Sequence, residues 1–203
     1  MSSAATPPSF STAEVAQRLG VSAPTVQRWV DQGYIKAWKT VGGHRRIDAA
    51  SVESFLASQQ LQAVARPAGK TPARPGPSVL VVDDNPDDRD LLSAVVEATL
   101  PDAAIQVVEN GFQALVAIGQ VTPDILLTDV VMPHMNGLEM LRELRQARTP
   151  GPRAIVVVTS LGPERLAALG GLPAGVGLVH KPVAPDGLAA ALRACLEPPK
   201  INE

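Results

Sequence analysis

One cysteine among 203 residues excludes an internal disulfide and leaves no thiol set for a metal. Cys195 falls in the apolar pattern Leu188, Leu192, Leu196, which predicts a buried helix position. Long hydrophobic runs are also missing. The longest apolar stretches reach four or five residues, far short of the roughly 20 needed to span a bilayer. The opening Met1-Ser2-Ser3-Ala4-Ala5-Thr6-Pro7-Pro8 has no basic segment followed by an apolar one, so it does not read as a secretory signal. The expectation is a cytoplasmic protein.

The formal charge of −2 hides an asymmetry. Residues 1–57 carry six Lys/Arg and four Asp/Glu, residues 58–78 three and none, and residues 79–203 nine and sixteen, giving +2, +3 and −7. A basic front and an acidic back suggest two modules, one facing a polyanion and the other a cation. Residues 58–77, rich in Pro, Ala and basic side chains, read as a linker. A flexible coil of that length separates its ends by about 25 Å and an extended polyproline by about 60 Å, which leaves the modules free to reorient. The first few linker residues could instead extend the preceding helix.

After the linker, short apolar runs alternate with helical patterns. Strands are expected at 79–82, 105–108, 125–128, 154–158 and 177–179, and helices at about 86–99, 111–119, 137–148, 162–169 and 185–196. Five βα units call for a parallel sheet covered on both faces. Glycine and proline crowd the fourth helix, from Gly162 to Gly177, which predicts an irregular segment there.

Charged residues stand where these strands end: Asp83 and Asp84 after the first, Asp129 after the third, Lys181 after the fifth. Strand carboxyl ends are where open α/β sheets bind ligands. Three converging carboxylates repel one another unless a hard cation such as Mg²⁺ joins them. Asp129 then serves as a nucleophile towards phosphorus, Lys181 neutralises charge on the transferred group, and Thr159 offers a hydroxyl to a phosphoryl oxygen. His134 and His180 flank prolines without a paired ligand spacing and read as surface residues.

The pattern Asp83-Asp84-Asn85, Asp129-x-x-Met132-Pro133-x-Met135-Asn136-Gly137, Thr159-Ser160 and Lys181-Pro182 resembles the receiver domain of bacterial two-component response regulators, over residues 78–197. The resemblance implies a flavodoxin-like, doubly wound five-stranded sheet in the order 2-1-3-4-5. It also implies Mg²⁺ held by Asp83, Asp84, Asp129 and the Val131 backbone carbonyl, with phosphate received on Asp129 from a sensor histidine kinase or phosphotransfer protein. Thr159 becomes the switch hydroxyl and Lys181 the phosphoryl contact. One departure stands out: three residues before the lysine, where the family commonly has Tyr or Phe, this chain has Leu178.

In the basic front, Ser11-Thr12-Ala13-Glu14 is a capping box opening a short helix that Gly20 ends. Pro24 then suits the start of a second helix carrying Thr25, Gln27, Arg28 and Trp29. In a helix-turn-helix the second helix enters the major groove, so Thr25, Gln27 and Arg28 are candidate DNA contacts, with Trp29 assigned to the core. Two strands flanking Val41-Gly42-Gly43-His44 form a wing, and Asp48 caps a third helix bearing Val52, Phe55 and Leu56. Residues 8–57 resemble the winged helix-turn-helix of the MerR and excisionase type, BldC-like in its Gly42-Gly43-His44-Arg45-Arg46 wing. That resemblance implies contacts to DNA from Arg45 and Arg46, with Lys36, Lys39 and His44 as weaker candidates.

The expectation is a response regulator and not an enzyme, with phosphorylation controlling DNA binding and transcription and with homo-oligomers forming on DNA. The alternative is an adaptor whose receiver docks a protein partner, supported by Leu178 and the irregular fourth helix.

Overall fold

Glu14 accepts a hydrogen bond from the Ser11 backbone N–H at 2.6 Å while the Ser11 hydroxyl accepts from the Glu14 N–H at 3.2 Å. The capping box therefore closes as the residues dictate. The computed structural model describes residues 8–19, 21–31, 33–40, 43, 45–63, 76–133, 135–146 and 151–197. Helix α1 runs Thr12–Leu19 and α2 Ala23–Asp31. The Ser22 hydroxyl accepts from the Thr25 N–H and caps α2.

The wing is β2, Ala37–Lys39, paired antiparallel with β3, Arg45–Asp48. A two-residue strand not foreseen in the sequence, β1 at Ser9–Phe10, lies on the other side of β3. Helix α3 spans Ala49–Ala63, so the backbone stays helical six residues past Ala57. Residues 64–75 of the proposed linker lie outside the described residues, and Gly76 and Pro77 are described again at its end.

The back half is a five-stranded parallel sheet. Its elements are β4 Ser78–Val82, α4 Pro86–Thr99, β5 Ala104–Val108, α5 Gly111–Gln120, β6 Ile125–Thr128 and α6 Gly137–Gln146, followed by β7 Ala154–Thr159, α7 Pro163–Ala168, β8 Val176–His180 and α8 Pro185–Leu196. The strand order β5-β4-β6-β7-β8 is the doubly wound 2-1-3-4-5 order. Strands β4 and β6 are buried at nearly every position because helices cover both faces. Helix α7 is only six residues long, in keeping with its Gly/Pro-rich surroundings. No described helix is long and apolar enough to cross a membrane.

The two halves touch. Every residue of α5 from Gly111 to Ile118 is buried, and the segment carries no charge. A helix that is apolar all round must be covered all round. The sheet covers one side and α1 packs against the other, while α3 lies beside edge strand β5. Phe112 projects into the front module, its ring 5.3 Å from Trp29 and 5.2 Å from Tyr34. Trp29 in turn packs 5.2 Å from Phe55. One hydrophobic cluster thus runs from Val15, Val26 and Trp29 through Phe112 to Leu138 and Leu141. Free reorientation of the modules, expected from linker composition, does not describe this arrangement, because shared apolar burial opposes their separation.

Candidate functional site

Parallel register aligns the strand ends. Val82 on β4 pairs with Thr128 on β6, and Thr159 on β7 with His180 on β8. Backbone bonds then carry the ladder one residue further: Asp83 N–H to the Val108 carbonyl at 3.3 Å, Asp129 N–H to Val82 at 2.9 Å, and Lys181 N–H to Thr159 at 2.9 Å. The reacting groups are therefore mounted on the rigid sheet and not on free loops.

Asp83, Asp84 and Asp129 bring carboxylate oxygens within 4.8 Å of one another. Asp83 is fully buried and Asp129 nearly so, while Asp84 is exposed. The Lys181 ammonium donates at 2.8 Å to each of Asp83, Asp88 and Asp129. Burial pushes the Asp83 carboxyl above the ordinary carboxylate value, against the pull of Lys181 and of the Asn85 N–H. Burial acts against the charged form of Lys181 too, but the hydrogen bonds it donates to Asp129, Asp83 and Asp88 outweigh it and raise its pKa above the usual lysine range. The Lys181-Pro182 peptide is cis.

Asp129 is held at both oxygens. One accepts from the backbone N–H groups of Val130 and, at 3.1 Å, Val131. The other accepts from Lys181. Val131 itself is half exposed at the mouth of the site. Thr159 is buried at the end of β7, where its hydroxyl accepts from the Leu161 N–H at 3.3 Å. Gly137 is required by close approach: a Cβ there would stand 2.0 Å from the Asp129 carbonyl oxygen.

Asp88 and Arg89 join the site beyond the residues expected from sequence. Asp88 lies in the first turn of α4, where acidic residues are ordinary partners of the helix dipole. Arg89 donates to the carbonyls of Asp83 and Asp84 at 2.9 and 3.0 Å and pairs with Glu109 at 3.3 Å, fixing the acidic turn. His180 is exposed, as expected, and His134 lies outside the described residues. Cys195 is half-buried rather than buried, and burial raises its thiol pKa.

Among the candidate DNA contacts, Gln27, Lys36, Lys39 and Arg46 are exposed. Arg45 pairs with Asp31 at 3.1 Å. His44 lies outside the described residues. Thr25 is not an open groove-facing residue here: it is fully buried and bonded to Glu143 of the back half, which also pairs with Arg28 at 3.0 Å. The reason is the docking of α2 on the receiver half, invisible from the front module's sequence alone.

Residues 79–193 match the family model for the response regulator receiver domain, and residues 9–60 match that for a helix-turn-helix domain. A protein-glutamate methylesterase/protein-glutamine glutaminase of Myxococcus xanthus is 40% identical over 107 residues, 52% of this chain and 30% of the relative. The DNA-binding response regulator MtrA of Mycolicibacterium smegmatis is 35% identical over 119 residues, 58% of this chain and 50% of the relative. The chain thus spans half or less of the length of these curated relatives. Among solved structures, the signal receiver domain of a signal transduction histidine kinase from Syntrophus aciditrophicus superposes with a TM-score of 0.53 at 26% identity, covering 63% of this chain and 95% of that one. A protein from Chloroflexus aurantiacus gives 0.51 at 25% identity, over 59% and 97% of the two chains. With the acidic strand ends, the lysine, the sheet order and a family match over more than half its length, this chain belongs to the response regulator receiver family and carries a helix-turn-helix domain ahead of its receiver.

Proposed function

We propose that the chain is a two-component response regulator that accepts a phosphoryl group on Asp129 from a histidine kinase or phosphotransfer protein and acts on DNA through its N-terminal helix-turn-helix. The observation that carries this reading is Lys181, whose ammonium bridges Asp83 and Asp129 at 2.8 Å from a third strand end. The donor set is all oxygen, and one of its carboxylates is wholly buried. That chemistry fits a hard divalent cation, and Mg²⁺ would be held by Asp83, Asp84, Asp129 and the Val131 carbonyl. When bound, it supplies positive charge that neutralises phosphoryl oxygens.

The protein's own groups do the rest. A carboxylate oxygen of Asp129 forms a bond to phosphorus as the bond from phosphorus to the donor's histidine nitrogen breaks, and the electron pair leaves with the imidazole. Lys181 is positioned to balance the charge of the transferred group, and the Thr159 hydroxyl to donate to one of its oxygens. No substrate pocket is required, and the chain acts as a regulator rather than an enzyme in the cytoplasm.

Gln27, Lys36, Lys39 and Arg46 present polar and basic groups on one module, which supports a DNA surface of the MerR and excisionase type. The small module favours binding as homo-oligomers, since linked copies gain avidity without new base contacts. The name of the Mycolicibacterium relative, a DNA-binding response regulator, agrees with this. The test is incubation of the full chain with Mg²⁺ and a small acyl phosphate, following intact mass and DNA mobility shift. Asp129→Asn should take up no phosphoryl group, and Lys36→Ala/Lys39→Ala/Arg46→Ala should lose DNA binding. Undiminished labelling of Asp129→Asn contradicts the acceptor assignment.

A further inference from the structure

Glu143, on α6, is a charged residue only 5% exposed, and its carboxylate is committed wholly to the front module. The Ser22 hydroxyl donates to it at 2.9 Å, the Thr25 hydroxyl donates to the same oxygen, and the Arg28 guanidinium reaches the other oxygen at 3.0 Å. Ser22 and Thr25 stand at the start of α2 and Arg28 in its last turn. Two hydroxyls and a guanidinium at positions 22, 25 and 28, spaced by three along one face of α2, form a donor set of the kind that takes a phosphate of the DNA backbone. On the same helix the Trp29 indole N–H is buried with no hydrogen-bond partner among the described residues.

We infer that Glu143 stands in for a DNA phosphate, so that receiver docking and DNA binding compete for the same face of α2. The inference rests on the DNA-binding reading above. It also assigns the route to Asp129. Gly137 begins α6, its N–H bonds the Val130 carbonyl at 3.0 Å, and its Cα lies against the Asp129 carbonyl. Met135, from the same connection, packs against Gly111, the neighbour of Phe112. A shift of the backbone after Asp129 is therefore delivered to both groups that grip α2, Glu143 through α6 and Phe112 through α5. This route does not use Leu178, where the aromatic residue common in the family is lacking.

The test uses the full unphosphorylated chain, a pool of random-sequence duplex DNA at low salt, and the variants Glu143→Ala and Glu143→Gln. Both should bind DNA more tightly than wild type, by about 5–150-fold, the range of allosteric coupling. Circular dichroism checks that the variants remain folded. Hydrogen exchange gives a second readout: saturating DNA should deprotect the α6 amides around Glu143 in the wild type. Equal or weaker DNA binding by folded Glu143→Gln, with α6 protection unchanged by DNA, overturns the inference while leaving the DNA reading intact. Absence of DNA binding by wild type and both variants overturns the DNA reading, and the inference with it.

Discussion

The two flanks of the receiver sheet differ in what covers them. On the α5 and α6 flank, eight consecutive residues of α5 are buried, Phe112 is inserted between Trp29 and Tyr34, and Glu143 is sealed against α2. On the α7 and β8 flank, Leu169 and Leu178 are about two-fifths exposed, and α7 is a single short helix among glycines. A helix covered on both sides evolves no charged face, whereas a flank open to solvent tolerates scattered apolar residues without organisation. Packed groups with few alternatives transmit a shift, and loosely covered ones absorb it.

The comparison is broken most directly by Phe112→Ala. Removing this buried ring should destabilise the protein by about 3–5 kcal/mol in urea unfolding, with loss of protection in both modules. Gly137→Ala comes next. Its new methyl has backbone in its way on the Asp129 side, so a loss of about 1–3 kcal/mol is expected together with slower phosphoryl uptake, read by intact mass.

A smaller effect belongs to the far end of the sheet, where Asp124 accepts from the Ser78 N–H and hydroxyl, both at 2.8 Å. Ser78→Ala should cost about 0.5–1.5 kcal/mol at neutral pH. The Ser78 backbone N–H, then its hydroxyl, hold the Asp124 carboxyl below the ordinary value in the fold. Its stabilising contribution is therefore present above the unfolded carboxylate pKa of about 3.9 and is lost as pH falls through the lower folded value. The gap between wild type and Ser78→Ala should accordingly narrow under acid, leaving the bond from the Asp124 backbone N–H to the Ser78 hydroxyl at 3.0 Å. Smallest of all, Leu178→Ala on the open flank should change stability by no more than about 0.5 kcal/mol. A large loss there would erase the contrast between flanks.

Much of this was legible in the residues. Asp83 and Asp129 each close an apolar run and Lys181 follows one past His180, and period plus charge placed them at strand ends that the sheet then aligned. Ser11 and Glu14 announced their own helix. Asp88 was hidden because a carboxylate in the first turn of α4 has a sufficient local explanation, and Arg89 because its partners are backbone carbonyls, which carry no sequence signature. The strand at Ser9–Phe10 is too short to show alternation. Glu143 looks like the solvent-facing charge of an amphipathic helix, and its partners Ser22, Thr25 and Arg28 lie 115 or more residues away. A signal was nonetheless present: Gly111 to Gln120 contains no charged residue, and a helix covered on one side only would ordinarily carry some.

On the proposed function, Asp129 is the one of four neighbouring carboxylates that takes phosphorus. After reaction with an acyl phosphate and Mg²⁺, borohydride reduction converts an aspartyl phosphate to homoserine, and peptide mapping locates it. Homoserine at position 129 alone is the predicted result. Homoserine at position 83, 84 or 88, with residue 129 unmodified, contradicts the account.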